Sequence, residues 1–523
     1  MLAKKQTLQA LLIVSLFSSS HPLSAESNIA LEADDKYLWL EDVDGKEALS
    51  WVNESHQTTS KKLQADPLYD DIYNDVLSAL NSDDKLPEVT IIGDYVYQLT
   101  RNLENPRGLY QRTSLASFKN AKPEWQTVLD IDQLSKVEGV KWVFHGMDCF
   151  APDNKRCLVF LSPGGGDAHE MREFNLASLA FVENGFYLPS AKMQVSWLDQ
   201  DTLFVATDFG KGSQTDSGYA RQLKTWSRGT ALSQAKAVFE VGKESVSVSA
   251  QRYKHNDDAI DLVIDTPGFW TRSYHQIDGN QVRPLHLPET AFIVDMFQGE
   301  YLVSLNDDWQ YQGETYHQGT LLLIEPKTLL DGKGPVTVLA ESTTDSIVDS
   351  AVVANNSIIV ITLEDVKSRL YRYQKKEHVW KRELIDLPSS GQISVAAVNK
   401  ESGETFARFE DFLTPPTLYS LNQTKVSIVA QQSATFDASD IQVRQYFAES
   451  KDATQVPYFV VMNKNTKLDG TNPTHIFAYG GFRVSVTPSY SGSYEDLNGA
   501  YGKAWLERGG VYVIANILSL IHI

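Results

Sequence analysis

Side chains able to do covalent or metal chemistry are few in this sequence, and their spacing excludes most kinds of site. A serine nucleophile on a strand-to-helix elbow reads as G-x-S-x-G, since flanking glycines let the backbone make the strained turn. That pattern does not occur in the 523 residues. His169-Glu170 opens an H-E-x-x-H pattern, but Glu173 stands where the second histidine is required. A zinc site is therefore not expected, and no cofactor or metal is expected elsewhere. The only two cysteines, Cys149 and Cys157, are too few for a structural zinc or a disulfide scaffold. They flank Ala151-Pro152-Asp153-Asn154, a turn signal, so a hairpin would set them opposite one another. Both a bridge and two half-buried thiols fit that reading. Tyr479 and Phe482 bracket a Gly-Gly turn after an apolar run, which on its own describes two core aromatics.

The elements that would position such groups follow from composition and periodicity. The length suggests three or four domain equivalents. With 42% hydrophobic and 22% charged residues, the chain is neither disordered nor fibrous. A net charge of −20 repels phosphate backbones, so nucleic acid is not an expected partner. Lys4 and Lys5 precede an apolar stretch from Leu8 to Phe17, and Leu23-Ser24-Ala25 follows. This is a secretory signal peptide over 1–25, cleaved after Ala25, and it implies a secreted or periplasmic protein. The competing membrane anchor would need ~20 apolar residues, and no later run is long enough to span a bilayer.

Residues 26–86 read as helical. Asp44 to Glu47 forms a capping box, with Ala48, Trp51, Val52, Ser55 and Leu63 recurring at helical spacing. A second helix opens at Asp66-Pro67 and runs through Leu68, Ile72, Val76 and Leu80. Over 87–430 the helical period vanishes. Apolar β-type runs begin near Tyr95, Cys157, Leu203, Leu262, Tyr301, Ile358 and Thr405, about 52 residues apart, the size of a propeller blade. A seven-bladed β-propeller is predicted. A pair of β-sandwiches or an irregular β array is the alternative, but ring closure hides strand edges that those leave open. Residues 431–517 return to α/β character. Val443–Ala448 and Val456–Met462 form a hairpin, and Thr474 to Tyr479 is a buried-type strand. A helical segment from Leu497 to Arg508 and a strand from Val511 to Asn516 complete a parallel crossover.

These pieces together resemble the prolyl oligopeptidase family of serine peptidases. The resemblance rests on Tyr37-Leu38-Trp39-Leu40-Glu41-Asp42 with Trp51-Val52, and on Thr414-Pro415-Pro416-Thr417-Leu418-Tyr419. It rests also on Phe447 to Asp452 with Val456-Pro457-Tyr458-Phe459. Most specific are Pro473 through Tyr479-Gly480-Gly481-Phe482, Trp505 to Val511, and Ala515-Asn516. Ala478, Arg483 and Ala453 depart from the usual glycine, asparagine and glycine, and none of the three removes a reacting group.

The resemblance implies a propeller inserted into an α/β-hydrolase domain, with the N-terminal helices packed on that domain. It implies a serine-type oligopeptidase acting through an acyl-enzyme on short peptides, with cleavage after proline. Tyr479 matches an oxyanion donor and Phe482 an aromatic lining the pocket for the residue before the cleaved bond. Phe174, after the Pro163 to Asp167 segment, is a candidate substrate contact, with packing inside a blade as the alternative. The family's Ser, Asp and His follow the Ala-Asn strand, so none can be assigned and the hydrolase domain is expected to be incomplete. Residues 518–523 read as a translation of CTG TCT CTT ATA CAC ATC, a transposon-end adapter. They are expected to be a non-native tail on a truncated, inactive chain. The rival reading is a non-catalytic propeller that binds a ligand or protein and carries a hydrolase remnant. Oligomeric state is not legible.

Overall fold

A computed structural model describes residues 35–42, 44–82, 84–343, 346–377, 379–422, 425–480, 485–493 and 502–516. The expected signal peptide and the 518–523 tail lie outside them. Among the described residues no helix is long and apolar enough to cross a membrane. The chain divides into two compact units, Met1–Ser78 and Ala79–Ile523.

In the first unit a short 3-10 turn, Leu38–Glu41, precedes α1 (Lys46–Gln64), and Trp39 meets Trp51 edge-on at 6.3 Å. The expected capping box does not form, because Gly45 is the N-cap and no side chain caps the helix. The backbone turns so tightly there, Gly45 N–H donating to Asp42 O, that a side chain at 45 would collide with the Asp42 carboxyl. The second helix, α2 (Tyr69–Leu80), starts two residues after Pro67, with the Asp66 carboxylate accepting from Leu68 N–H.

The second unit is built on seven antiparallel sheets among the described residues, following one another along residues 89–431. Six pair their main strands in chain order or with one hairpin inserted. The second sheet carries a fifth strand, Tyr187–Ala191. Every apolar run expected from the sequence is the second strand of one sheet, for example Tyr95–Thr100, Arg156–Pro163, Thr202–Ala206 and Ser357–Glu364. Those strands are apolar on both faces because both faces are buried. In Arg156–Pro163, Cys157, Val159 and Leu161 pack toward the first sheet, while Leu158 and Phe160 pack toward the third.

The same sharing repeats at each neighbouring pair of sheets. A seventh seam joins the last sheet to the first through Val89, Ile91, Val96, Phe118, Ala397, Phe406, Leu418 and Val429. The ring is therefore closed, a β-propeller rather than a pair of sandwiches. First strands of successive sheets touch one another, Gln194–Asp199 with Ser247–His255 and Gln392–Val398 with Val89–Ile92 among them, so they line the axis. Among the described residues no strand is exchanged across the closing seam. Side-chain packing holds it, with Phe118 against Phe406 at 5.5 Å. Two polar ties assist: Asn399 Nδ2 donates to Gly93 O at 3.0 Å, and Lys119 Nζ lies 2.8 Å from Glu404 Oε2.

Cys149 and Cys157 face each other across the Trp142–Cys149 and Arg156–Pro163 pair and are joined in a disulfide.

After the ring come β1 (Ile441–Glu449), β2 (Gln455–Asn463), β3 (Thr474–Ala478), α3 (Gly502–Leu506) and β4 (Val511–Ala515). They form a sheet ordered β1-β2-β4-β3, with β3 and β4 parallel. The expectation of a buried β3 is corrected here. The strand is the sheet's edge, alternates exposed and half-buried positions, and leaves Ile476 64% exposed. Among the described residues its one strand partner is β4, while His475 and Phe477 pack from one face against Trp505 and the core. One core joins sheet and ring, with Val366 and Phe412 from turns of the last two propeller sheets meeting Ile441, Phe459, Tyr490 and Tyr512.

Two outcomes test this architecture. Phe406→Ala empties a fully buried ring from the closing seam and should cost about 3–5 kcal/mol in urea unfolding. Replacing Cys149 and Cys157 together by serine frees a short loop in the unfolded chain and should cost about 2–3 kcal/mol. Adding reductant to the parent protein should reproduce that loss, and a parent indifferent to reductant would contradict the bridge.

Candidate active site

Parallel strands of an α/β sheet present functional groups beyond their C-terminal ends, and β3 and β4 end together. Ala478 pairs with Ala515, so Tyr479 and Asn516 leave the sheet side by side. Tyr479 is 41% exposed, and its hydroxyl has no hydrogen-bond partner among the described residues. A free phenol at a strand end can donate one hydrogen bond to a ligand without introducing charge. Tyr512 on β4 provides the contrast. It is packed in the core against His475, 5.7 Å between rings, and burial pushes its phenol up to about 12.

Asn516 is fully buried and does the opposite work. Its Nδ2 donates to Val486 O at 2.9 Å and its Oδ1 accepts from Val486 N–H at 2.8 Å. Its own N–H donates to Pro457 O at 3.1 Å. One carboxamide thus fixes both backbone groups of the segment that follows Tyr479-Gly480. That segment is then pinned to the propeller's last sheet. Thr487 Oγ1 donates to Gln392 Oε1 at 2.8 Å, Tyr490 N–H to the Glu410 carboxylate at 3.1 Å, and Ser491 N–H to Phe412 O at 3.1 Å. Tyr490 is wholly buried, stacks on Phe436 at 5.7 Å, and accepts at its hydroxyl from Thr435 N–H at 2.9 Å. Glu410 in turn pairs with Arg408 at 3.2 Å. Buried polar groups of this kind are costly unless satisfied, which makes the set a positioning frame.

The other sequence candidates fall elsewhere. Phe482 lies outside the described residues. Phe174 is 1% exposed in the seam between the first and second sheets, edge-on to Phe181 at 5.3 Å. Of the two readings of Phe174, this placement is the packing one. Strand alternation puts it on the same face as Arg172, packed in the cluster that holds Tyr97 and Tyr110. Glu173, in the position that denied a zinc pattern, is buried and held by Arg228 at 2.6 Å and by Phe186 N–H at 2.9 Å. Among the described residues no three His, Cys, Asp or Glu side chains converge as metal ligands would. Ala515-Asn516 carries part of the family resemblance in the sequence, but the positioning roles of Asn516 and Glu410 were not legible there because their partners are distant in the chain.

Known proteins resemble this chain over most of its length. The family described as "Prolyl oligopeptidase, N-terminal beta-propeller domain" matches residues 23–432. An uncharacterized peptidase, y4nA, of Sinorhizobium fredii is 34% identical, over 93% of this chain and 68% of its own length. A prolyl endopeptidase of Elizabethkingia miricola is 22% identical, over 93% of this chain and 66% of its own. Among solved structures, a post-proline cleaving enzyme from Rickettsia typhi superposes with a TM-score of 0.83 at 28% identity, covering 91% of this chain and 71% of that one.

The frame around Asn516 makes its own prediction. Asn516→Leu keeps the volume but leaves the Val486 N–H and C=O unpartnered in the interior, at about 2–5 kcal/mol. In hydrogen exchange, amides over 486–491 should lose protection about tenfold or more while the seams between propeller sheets are unchanged. Uniform loss across the chain would contradict a local role.

Proposed function

The chain belongs to the prolyl oligopeptidase family, and from that premise we propose that it comes from a serine-type oligopeptidase that cleaves short peptides, with a preference for proline before the scissile bond. The observation that carries the reading is Tyr479, an accessible phenol beyond the C-terminal end of β3, beside a segment that Asn516 holds in place. In acyl transfer, negative charge builds on the carbonyl oxygen as serine attacks. A neutral phenolic donor already aimed at that oxygen stabilises the transition state more than the ground state. The rigid frame matters because a donor displaced by about 1 Å loses much of that advantage.

In this reading the seven sheets are the blades of a seven-bladed propeller whose ring admits only short peptides. Phe482 lines an apolar pocket that suits a proline ring, which offers no N–H to satisfy. Residues 1–25 direct the protein out of the cytoplasm, to the periplasm or beyond. The mechanism requires a serine on a strained elbow with an aspartate and a histidine to work with it, and no G-x-S-x-G pattern occurs in the 523 residues; in this reading the 523-residue chain alone does not turn over peptide. The catalytic test therefore uses the protein encoded by the whole locus.

A fluorophosphonate probe should label that protein on a single serine. Tyr479→Phe should lower kcat about 10²–10³-fold with little change in KM. Absence of labelling would favour a propeller that binds a ligand or protein without cleaving it. Labelling combined with an undiminished kcat in Tyr479→Phe would remove the hydroxyl from the mechanism.

A further inference from the structure

The first strands of the seven sheets line the axis of the ring, and the charges they carry are unevenly matched. Arg252, on Ser247–His255, is gripped by Asp261, with Nε 2.8 Å from Oδ1 and Nη2 2.9 Å from Oδ2. Asp295, on Phe292–Phe297, is buried and meets Lys400 Nζ at 2.6 Å. These four groups cancel in pairs. Asp199 and Lys254 stand beside the turns that end the first strands of the third and fourth sheets.

Asp148 and Asp349 are left over. Asp148 lies on Trp142–Cys149, one residue before the disulfide, and its carboxylate makes no hydrogen bond or ion pair among the described residues. Asp349 sits at a β-bulge of Ser346–Ala354, where the register passes from Val348 to Ser350 and skips it. A bulge re-aims its side chain, here away from the seams that Val348 and Val352 fill. Among the described residues its carboxylate accepts from the Ser350 hydroxyl alone, at 3.2 Å.

Both side chains are exposed, yet both are desolvated. Burial pushes the Asp148 carboxyl up to about 6 and raises that of Asp349, and no cation draws either one down. A carboxylate on an outer surface is exposed and well hydrated, whereas one in a core is desolvated and out of reach. Being reached by solvent while crowded by protein is the condition inside a narrow wet passage, whose low-dielectric walls focus the field of a fixed charge.

We propose that Asp148 and Asp349 make the axial channel a charge filter, which admits short peptides bearing a free amino terminus or basic side chains and holds back acidic ones. The substrate class rests on the peptidase reading, and the filter itself does not. Focusing of this kind changes encounter rates by about 10–10³-fold.

The filter is tested in the 523-residue protein with thiol reagents. Both native cysteines are bridged, so Ser350→Cys places a single free thiol beside Asp349. Its modification rate is measured at pH 8 with two methanethiosulfonates of similar size, one carrying a trimethylammonium group and one a sulfonate. Glu383→Cys, on the exposed outer strand Val379–Leu384, gives the reference ratio. The preference for the cationic reagent should be about tenfold greater at position 350 than at 383. Adding Asp148→Asn and Asp349→Asn should bring the two within about twofold. A thiol at 350 that reacts with neither reagent, a preference no greater than at 383, or one that survives both substitutions would each overturn the filter.

In the whole-locus protein, kcat/KM for a proline peptide with a remote lysine should exceed that of its glutamate counterpart about tenfold, and the same double substitution should reduce the ratio to about twofold. Equal values in the parent would overturn the substrate class. A protein that cleaves neither peptide would overturn the peptidase reading and the substrate class with it, while the reagent ratios still decide the filter.

Discussion

The structure depends on burial of each sheet's second strand from both sides at once. A strand such as Arg156–Pro163 sends alternate side chains into two different seams, so each sheet is completed only by its neighbours. The last sheet must therefore meet the first. It does so through the packing of Phe118, Phe406 and their neighbours and the Lys119–Glu404 and Asn399–Gly93 ties. Closure gives the ring the rigidity that its individual four-stranded sheets lack.

That rigidity is handed on to the candidate active site. The segment after Tyr479 is held on one side by Asn516, from the parallel pair β3 and β4, and on the other by Gln392, Glu410 and Phe412 of the last propeller sheet. A flexible loop following an exposed tyrosine would spread its hydroxyl over many positions. Two anchors on opposite sides fix where the described part of that segment, from Val486 to Ser491, lies.

What was legible in the sequence follows the same physics. Second strands announced themselves because burial on both faces makes them continuous apolar runs, and their spacing revealed the repeat. Outer strands did not. Val379–Leu384 has one half-buried residue and otherwise exposed ones, so it carries no apolar signal. The apolar content of Thr474–Ala478 suggested burial, yet its edge position leaves alternate residues exposed. Asp44 and Glu47 had the right types for a capping box, and the tight turn at Gly45 moved the helix start past it. Phe174 had the right type for a substrate contact, but which seam a strand residue faces is set by register. Tyr479 could be picked out by its motif. Asn516 belongs to a motif as well, but its supporting role and that of Glu410 could not be read, because their hydrogen bonds join residues 30 and 80 positions apart.

The central claim is that the Tyr479 hydroxyl is aimed at the oxygen of a carbonyl under attack. The most direct measurement is a crystal structure of the whole-locus protein with a peptide boronate or aldehyde that forms a tetrahedral adduct. The account predicts a distance from Tyr479 Oη to the adduct oxygen of about 2.6–3.1 Å, with the segment at Val486 still held by Asn516. An adduct oxygen held only by other donors, with the Tyr479 ring turned away from it, would contradict the account.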